Sequence, residues 1–335
     1  MSKPETHPPS LGVIDEVDTV GLKVAVLKTA MELNVFTTIA KGHGTLEEIA
    51  TVLRCSMRGM RVLLDALCPL GLLDKADGTY TLTPTAEAYL VEGAPTYCGD
   101  IYLMWFQGRE RFADCVRTGK PAIDLTVPEA EDLWVSYTAP YLLLWPELAE
   151  TARARWEAVG VSAETLPGAQ ILDIACGCGV KSFVLAQADP TACVTANDSP
   201  KILEVTATIA SAMGIAGQVK YQPGDVKALD LGTEQFDMVL LGNILHYFPP
   251  DQMQTILRKA HQALKPGGLV VIDDGVLDEE RGAAEDVLLA AVEMVNSAPY
   301  AEFHTFSEYK EILEKVGFIQ VTLHRTRPVS ARKKS

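Results

Sequence analysis

The second half of the chain alternates between short apolar runs and segments of helical periodicity, a pattern that restricts it to a parallel sheet with helices on both faces. From Gly160 onward, QILDIA, CVTAN, VKYQ, FDMVLLG and GLVVIDD are short and nearly continuous in apolar residues, as strands buried on both faces are. The intervening segments, such as the one ending AHQALKPGG, read as crossover helices. The end departs from this pattern. FIQVTLH and PVSARK are strand-like with only RTR between them, too short for a helical crossover, so a closing antiparallel hairpin is predicted.

The first half reads differently. Val20, Val24, Leu27, Met31 and Val35 recur at three- and four-residue spacing, predicting a helix over Val17–Phe36. Thr45 and Glu48 form a capping-box pair ahead of a short helix. Ser56 caps another, which runs through Met60, Leu63, Leu64 and Leu67 and stops at Gly71. Asp77-Gly78 then separates two strand-like stretches, a hairpin signal. This is the element order of a winged helix. Its third helix, SMRGMRVLLDALCPLG, has only two arginines and is mostly apolar, so packing and dimerisation are favoured over DNA reading.

A chain of 335 residues calls for two domains, and 48% hydrophobic with 22% charged residues is enough to fill two cores. A formal net charge of -15 repels polyphosphate backbones, which argues against nucleic acid as a partner. Seven cysteines without a CxxC pair read as reduced cytoplasmic thiols, with no metal centre expected. MSKPETHPPSLG lacks the apolar core of a secretory signal, and no apolar run approaches the ~18 residues of a spanning helix, so no membrane association is expected.

The most informative stretch is ILDIACGCGVKS, residues 171–182. A buried strand ends at Asp173, after which Gly177 and Gly179 let the backbone turn tightly and approach a ligand. A dinucleotide fingerprint places a small Gly or Ala where this chain has Ser182, preceded by Lys181. An acidic residue four places before the first glycine suits a cationic amino-acid group in place of a pyrophosphate. S-adenosylmethionine (SAM) carries such a group. The next strand ends at Asp198, the position from which a carboxylate meets ribose hydroxyls, and the third is followed by Asp225-Val226, placed to bond an adenine amino group and pack on its ring. Each aspartate alone could be a turn residue; three at successive strand ends are hard to explain that way.

With these motifs, the chain resembles the SAM-dependent O-methyltransferases of the plant caffeate type and their bacterial natural-product relatives, along nearly its whole length. The resemblance implies an α/β fold: a Rossmann-like, seven-stranded, mostly parallel class I methyltransferase sheet behind a mainly helical, winged-helix-like dimerisation domain. The implied divisions are a disordered arm at 1–12, the dimerisation domain at 13–96, a helical linker and substrate-pocket segment at 97–160, and the SAM-binding catalytic domain at 161–335. It assigns Asp173, Gly177 and Gly179 to the SAM loop, Asp198 to the ribose, and Asp225 with Val226 to the adenine, S-adenosylhomocysteine being the product.

The family's catalytic histidine, after the fourth strand, matches His246 in NILHYFPPDQ. An imidazole can accept a phenol proton near neutral pH. Tyr247 stands where the family often has Asp. The carboxylate that orients the base aligns with Asp274, with Asp273 as the alternate because a strand's pleat points neighbours to opposite faces. A second family carboxylate would fall at or beside Phe303, with Glu302 one place away and His304 a further pocket residue. All four tryptophans fall within residues 97–156. Trp105, Trp134, Tyr137 and Tyr141 are the candidate wall for a small-molecule substrate, ordinary helix packing being the other reading. Apolar amino-terminal helices and the resemblance together predict a homodimer. Three other functions stay open: carbon or nitrogen methylation on the same fold, a His246–His304 metal pair that no ligand spacing supports, and a winged-helix regulator.

Overall fold

The computed structural model describes residues 10–335, which form two compact bodies meeting in sequence at Phe106 and Gln107. The arm expected over residues 1–12 falls mainly on residues 1–9, outside the described residues.

In the first body α1 (Gly12–Glu32) and α2 (Val35–Ala40) replace the single helix expected over Val17–Phe36. The break is at Asn34, which takes the left-handed conformation (φ 59°) that asparagine tolerates better than most residues. The capping box predicted from sequence opens α3 (Leu46–Val52): Thr45 Oγ1 accepts the Glu48 amide at 3.3 Å, and the Glu48 carboxylate accepts the Thr45 amide at 2.9 Å. Ser56 caps α4 (Met57–Leu67). The strands β1 (Leu73–Ala76) and β2 (Thr79–Leu82) form the predicted hairpin, with Asp77 and Gly78 both at positive φ, as a tight two-residue turn requires. With α5 (Pro84–Leu90) these elements bury Phe36, Ile49, Leu64, Leu67 and Tyr80. One face of α1 stays exposed, carrying Val13, Ile14, Val17 and Val20.

The chain then passes through α6 (Gly99–Glu110) into the second body, which opens with α7 (Phe112–Thr118), α8 (Glu131–Thr138) and α9 (Tyr141–Val159). Pro140 immediately precedes α9, and Pro146 lies inside that helix without ending it. Next come β3 (Gln170–Ile174), α10 (Val180–Ala188), β4 (Cys193–Asp198), α11 (Pro200–Ala212), β5 (Val219–Pro223), β6 (Phe236–Gly242), α12 (Pro250–Ala263) and β7 (Leu264–Asp273). The short strands β8 (Val276–Leu277) and β9 (His304–Thr305) pair in parallel and flank α13 (Glu285–Ser297). The chain closes with α14 (Phe306–Val316), β10 (Phe318–Leu323) and β11 (Val329–Lys333).

The main sheet has seven strands in the order β10-β11-β7-β6-β3-β4-β5. It is parallel except for β11, which runs antiparallel to both β10 and β7, so the predicted closing hairpin is present. Alternate residues of the central strands feed two cores. Leu172, Ile174, Val239, Leu241, Val270 and Ile272 pack on the α12 and α14 side, while Ile171, Met238, Leu240, Leu269 and Val271 pack toward α9 and α10. That two-sided burial is why the strands read as continuous apolar runs. The chain leaves β3 toward β4 on one side and later adds β6 on the other, a switch of direction that opens a crevice at the strands' carboxyl ends. No helix among the described residues is long and apolar enough to cross a membrane.

Candidate active site

The crevice is lined by the glycine loop. Ala175, Gly177 and Gly179 all have positive φ (52°, 52° and 73°), so the loop folds back tightly between β3 and α10. A Cβ on Gly177 would meet open space, whereas one on Gly179 would stand 2.4 Å from the Phe183 ring. The first glycine leaves the backbone open to a ligand; the second permits close packing of α10.

Asp173 is 2% exposed and accepts a 2.6 Å hydrogen bond from Ser182 Oγ. Burial pushes its carboxyl up to about 7, against the opposing pull of the Ser182 hydroxyl and the Lys181 ammonium. A buried carboxylate in that condition is a strong partner for an incoming ammonium group. Asp198 accepts the Gly177 amide at 2.9 Å and the Ser199 amide at 2.8 Å. Burial raises its carboxyl too, though these amides favour the ionised form.

Asn197 ties the third acidic position to the first two. Its Nδ2 donates to the carbonyls of Gln222 and Gly224, both at 2.9 Å, and the Gly224 amide bonds the Asp198 carbonyl. The loop carrying Asp225 is thus fastened to the tip of β4. Lys259 braces it from α12 by donating to the carbonyls of Val226, Lys227 and Leu229. Asp225 is exposed and Val226 buried. A buried acid, an acid on a glycine loop, and an exposed acid beside an apolar residue match, in order, an ammonium, a diol and an amino-substituted ring.

The second cluster begins where β6 ends. Asn243 turns left-handed (φ 55°), and Leu245–Tyr247 form a single 3-10 turn that buries His246. Asp274, just past β7, holds this histidine twice: its Oδ1 lies 2.6 Å from Nδ1, and its Oδ2 accepts the His246 amide at 3.3 Å. Burial pushes the Asp274 carboxyl up, but the His246 ring and the amides of Gly275 and His246 outweigh it and leave it below the ordinary aspartate value. An ionised carboxylate can only accept, so Nδ1 carries a proton, and in the neutral ring Nε2 presents a lone pair. Nε2 is buried with no hydrogen-bond partner.

Asp273 points to the other face, where Arg155 and Lys181 engage it, so of the two aspartates left open by the sequence Asp274 is the one at His246. Glu302 is not beside the imidazole either. Its carboxylate is exposed and paired with Arg281, while Phe303 puts an aromatic edge on His246 with centroids 5.3 Å apart.

Trp134 meets Tyr247 edge-on at 5.7 Å and Tyr137 at 5.9 Å, and Tyr137 meets Tyr141 at 6.3 Å. Tyr247 in turn lies 4.3 Å from the His246 ring. The aromatic segment therefore joins the histidine through Tyr247, a residue the sequence flagged only as a departure. The Trp134 indole donates to the Leu125 carbonyl, and Glu131, at the start of the same helix, accepts the Lys201 amide at the head of α11. His304, on β9, is 8% exposed, meets Tyr309 edge-on, and also has a buried Nε2 without a partner. Trp105 belongs to the first body, where it stacks edge-on against Tyr102. Sequence reasoning missed Asn197, marked Phe303 only as the place of a family carboxylate, and noted Ser182 only as a mismatch to another motif.

The strand order, the glycine loop and the acids at the ends of β3 and β4 define a class I SAM-binding methyltransferase domain. Comparison with known proteins agrees. Residues 171–268 match the methyltransferase domain family and residues 21–92 the O-methyltransferase dimerisation domain. The 3-hydroxy-5-methyl-1-naphthoate 3-O-methyltransferase of Streptomyces sahachiroi is 28% identical over 89% of this chain and 87% of its own. The tetracenomycin polyketide synthesis 8-O-methyl transferase of Streptomyces glaucescens is 28% identical over 98% and 96%. A crystal structure of a candidate O-methyltransferase from Nostoc punctiforme superposes with a TM-score of 0.71 at 28% identity, covering 98% of this chain and all of that one. The chain belongs to the SAM-dependent O-methyltransferase family and is an enzyme that uses SAM.

Proposed function

We propose that the enzyme methylates a hydroxyl of a small aromatic metabolite, with His246 as general base. The observation that carries this reading is the His246 ring itself, its Nδ1 fixed by Asp274 and its Nε2 buried and unpartnered. Leaving a polar atom buried without a bond costs about 1–3 kcal/mol, a cost that an acceptor hydroxyl would relieve. When bound, SAM supplies a methyl group on a sulfonium for in-line displacement. Asp173 would hold its ammonium, Gly177 and Gly179 its chain, Asp198 the ribose hydroxyls, and Asp225 with Val226 the adenine. Nε2 takes the hydroxyl proton, and Asp274 steadies the imidazolium so formed. Trp134, Tyr137 and Tyr141, continued by Tyr247 and Phe303, offer flat faces that orient an aromatic ring and exclude water. Of the two Streptomyces relatives, one is named for O-methylation of a hydroxynaphthoate and the other for O-methylation in tetracenomycin polyketide synthesis, which supports a hydroxyl acceptor. His304 is assigned to the acceptor as well. The exposed apolar face of α1, within the matched dimerisation family, supports a homodimer.

Calorimetry with SAM and S-adenosylhomocysteine on the native protein and on Asp198→Ala tests the cofactor site, and binding is expected to disappear in the variant. Methyl transfer to a panel of phenols, native against His246→Ala, tests the base. A small loss with His246→Ala would instead favour a pre-ionised hydroxyl, or a carbon or nitrogen acceptor.

A further inference from the structure

The amino-acid end of the cofactor has two charges, and the site described so far answers only one. Asp173 meets the ammonium; nothing yet meets the carboxylate. On the neighbouring strands a single carboxylate, that of Asp273, 3% exposed, is engaged by two cations. Lys181 Nζ lies 2.7 Å from Asp273 Oδ2, and Arg155 bonds Oδ1. That leaves one positive charge in excess.

The position of the excess is specific. Lys181 is the second residue of α10, directly after the glycine loop, and its main chain is fixed by a 2.6 Å bond from the Trp156 indole to its carbonyl. Its side chain crosses the end of β6 at Gly242, the residue paired with Asp273 in the sheet. A Cβ on Gly242 would stand 3.2 Å from Nζ, so with any other residue here the ammonium would have to shift by a few tenths of an ångström. The same ammonium is close enough to lower the Asp173 carboxyl. It therefore acts on the carboxylate assigned to the cofactor's ammonium while it pairs with the buried Asp273.

With Asp225 counted among the assigned acids, Asp173, Asp198, Asp225 and Asp273 against Lys181 and Arg155 leave a net charge of -2 when all are ionised, opposite in sign to the +1 of SAM. We propose that Lys181, held by Asp273 with Arg155 behind it, is the counter-ion of the cofactor's carboxylate. This rests on SAM occupying the glycine loop.

Calorimetry tests it with two ligands. S-adenosylhomocysteine has both the ammonium and the carboxylate, whereas decarboxylated SAM keeps the ammonium alone. Lys181→Met is expected to weaken S-adenosylhomocysteine about 10- to 100-fold, the range for one charge-assisted bond lost from a buried site. Decarboxylated SAM should be weakened less than about twofold, and Lys181→Arg should recover most of the lost affinity. Because Lys181→Met removes one partner of a buried ion pair, Lys181→Met/Asp273→Asn is measured alongside, and it should show the same selectivity between the two ligands. Equal weakening of both ligands, or an unchanged affinity for S-adenosylhomocysteine, overturns the assignment. If the native protein bound neither ligand, the cofactor site itself would be wrong, a failure distinct from this one.

Discussion

Replacing Asp173 with Asn should make the ligand-free protein more stable while abolishing its cofactor binding. Burial lifts the Asp173 carboxyl from an ordinary 3.8 to about 7. The folded chain thus keeps this proton up to about pH 7, while the unfolded chain releases it near 3.8. Between those values the folded state binds more protons, so stability falls as pH rises, and the full cost is present above pH 7. At 1.36 kcal/mol per pH unit the gap corresponds to roughly 4 kcal/mol. Asn cannot ionise, and its side-chain oxygen can still accept from Ser182, so Asp173→Asn should escape most of that cost at pH 8 and progressively less toward pH 4. Thermal unfolding at pH 5.5 and pH 8 spans about half of the interval. Relative to native, the variant should gain about 2 kcal/mol between them, or about 4–8 °C in the midpoint of the second body's transition. S-adenosylhomocysteine should raise that midpoint in the native protein and leave the variant unmoved. The affinity of the native protein should also fall up to tenfold per pH unit below 7, as Asp173 takes up a proton. A variant whose midpoint stays at a constant offset from native at both pH values, or that still binds S-adenosylhomocysteine within a few-fold of native, refutes the argument.

Five other substitutions separate the parts of the site. His246→Ala should cut kcat for a neutral phenol about 10²- to 10⁴-fold while leaving calorimetric affinity for S-adenosylhomocysteine unchanged; Asp274→Asn, which removes the hold on Nδ1, should follow it in direction, whereas Glu302→Gln, exposed and paired with Arg281, should have little effect on kcat. Trp134→Ala removes two edge-on ring pairs within the protein, worth about 1–3 kcal/mol of stability together, and with them the support of Tyr137 and Tyr247, so KM for an aromatic acceptor should rise in steady-state assays. Gly179→Ala forces a side chain against Phe183 at φ 73° and should cost about 1–3 kcal/mol in chemical denaturation, with weaker SAM binding.

How much of this could be read from the chain depends on the range of the interactions concerned. The capping box at Thr45, the turn at Asp77-Gly78 and the closing hairpin are settled by residues a few positions apart, and the structure has all three. The break between α1 and α2 was hidden because Asn34 interrupts a hydrophobic period that continues on both sides of it. In the site, Asp173, Gly177, Gly179 and Asp198 were legible because the turns at the ends of β3 and β4 impose a local spacing. The support of His246 was named only through the resemblance, which gave Asp274 with Asp273 as the alternate. Asp273 and Asp274 are adjacent acids at the end of one strand, and no spacing rule tells which belongs to the histidine. The pleat sends them to opposite faces, and the decision falls to groups distant in sequence: Arg155 and Lys181 claim Asp273, and the 3-10 turn after β6 brings His246 to Asp274. Exchanging the two acids' roles would need Arg155 and Lys181 on the other side of β7. One short motif therefore serves two neighbouring sites, and the division of labour within it is fixed by the sheet.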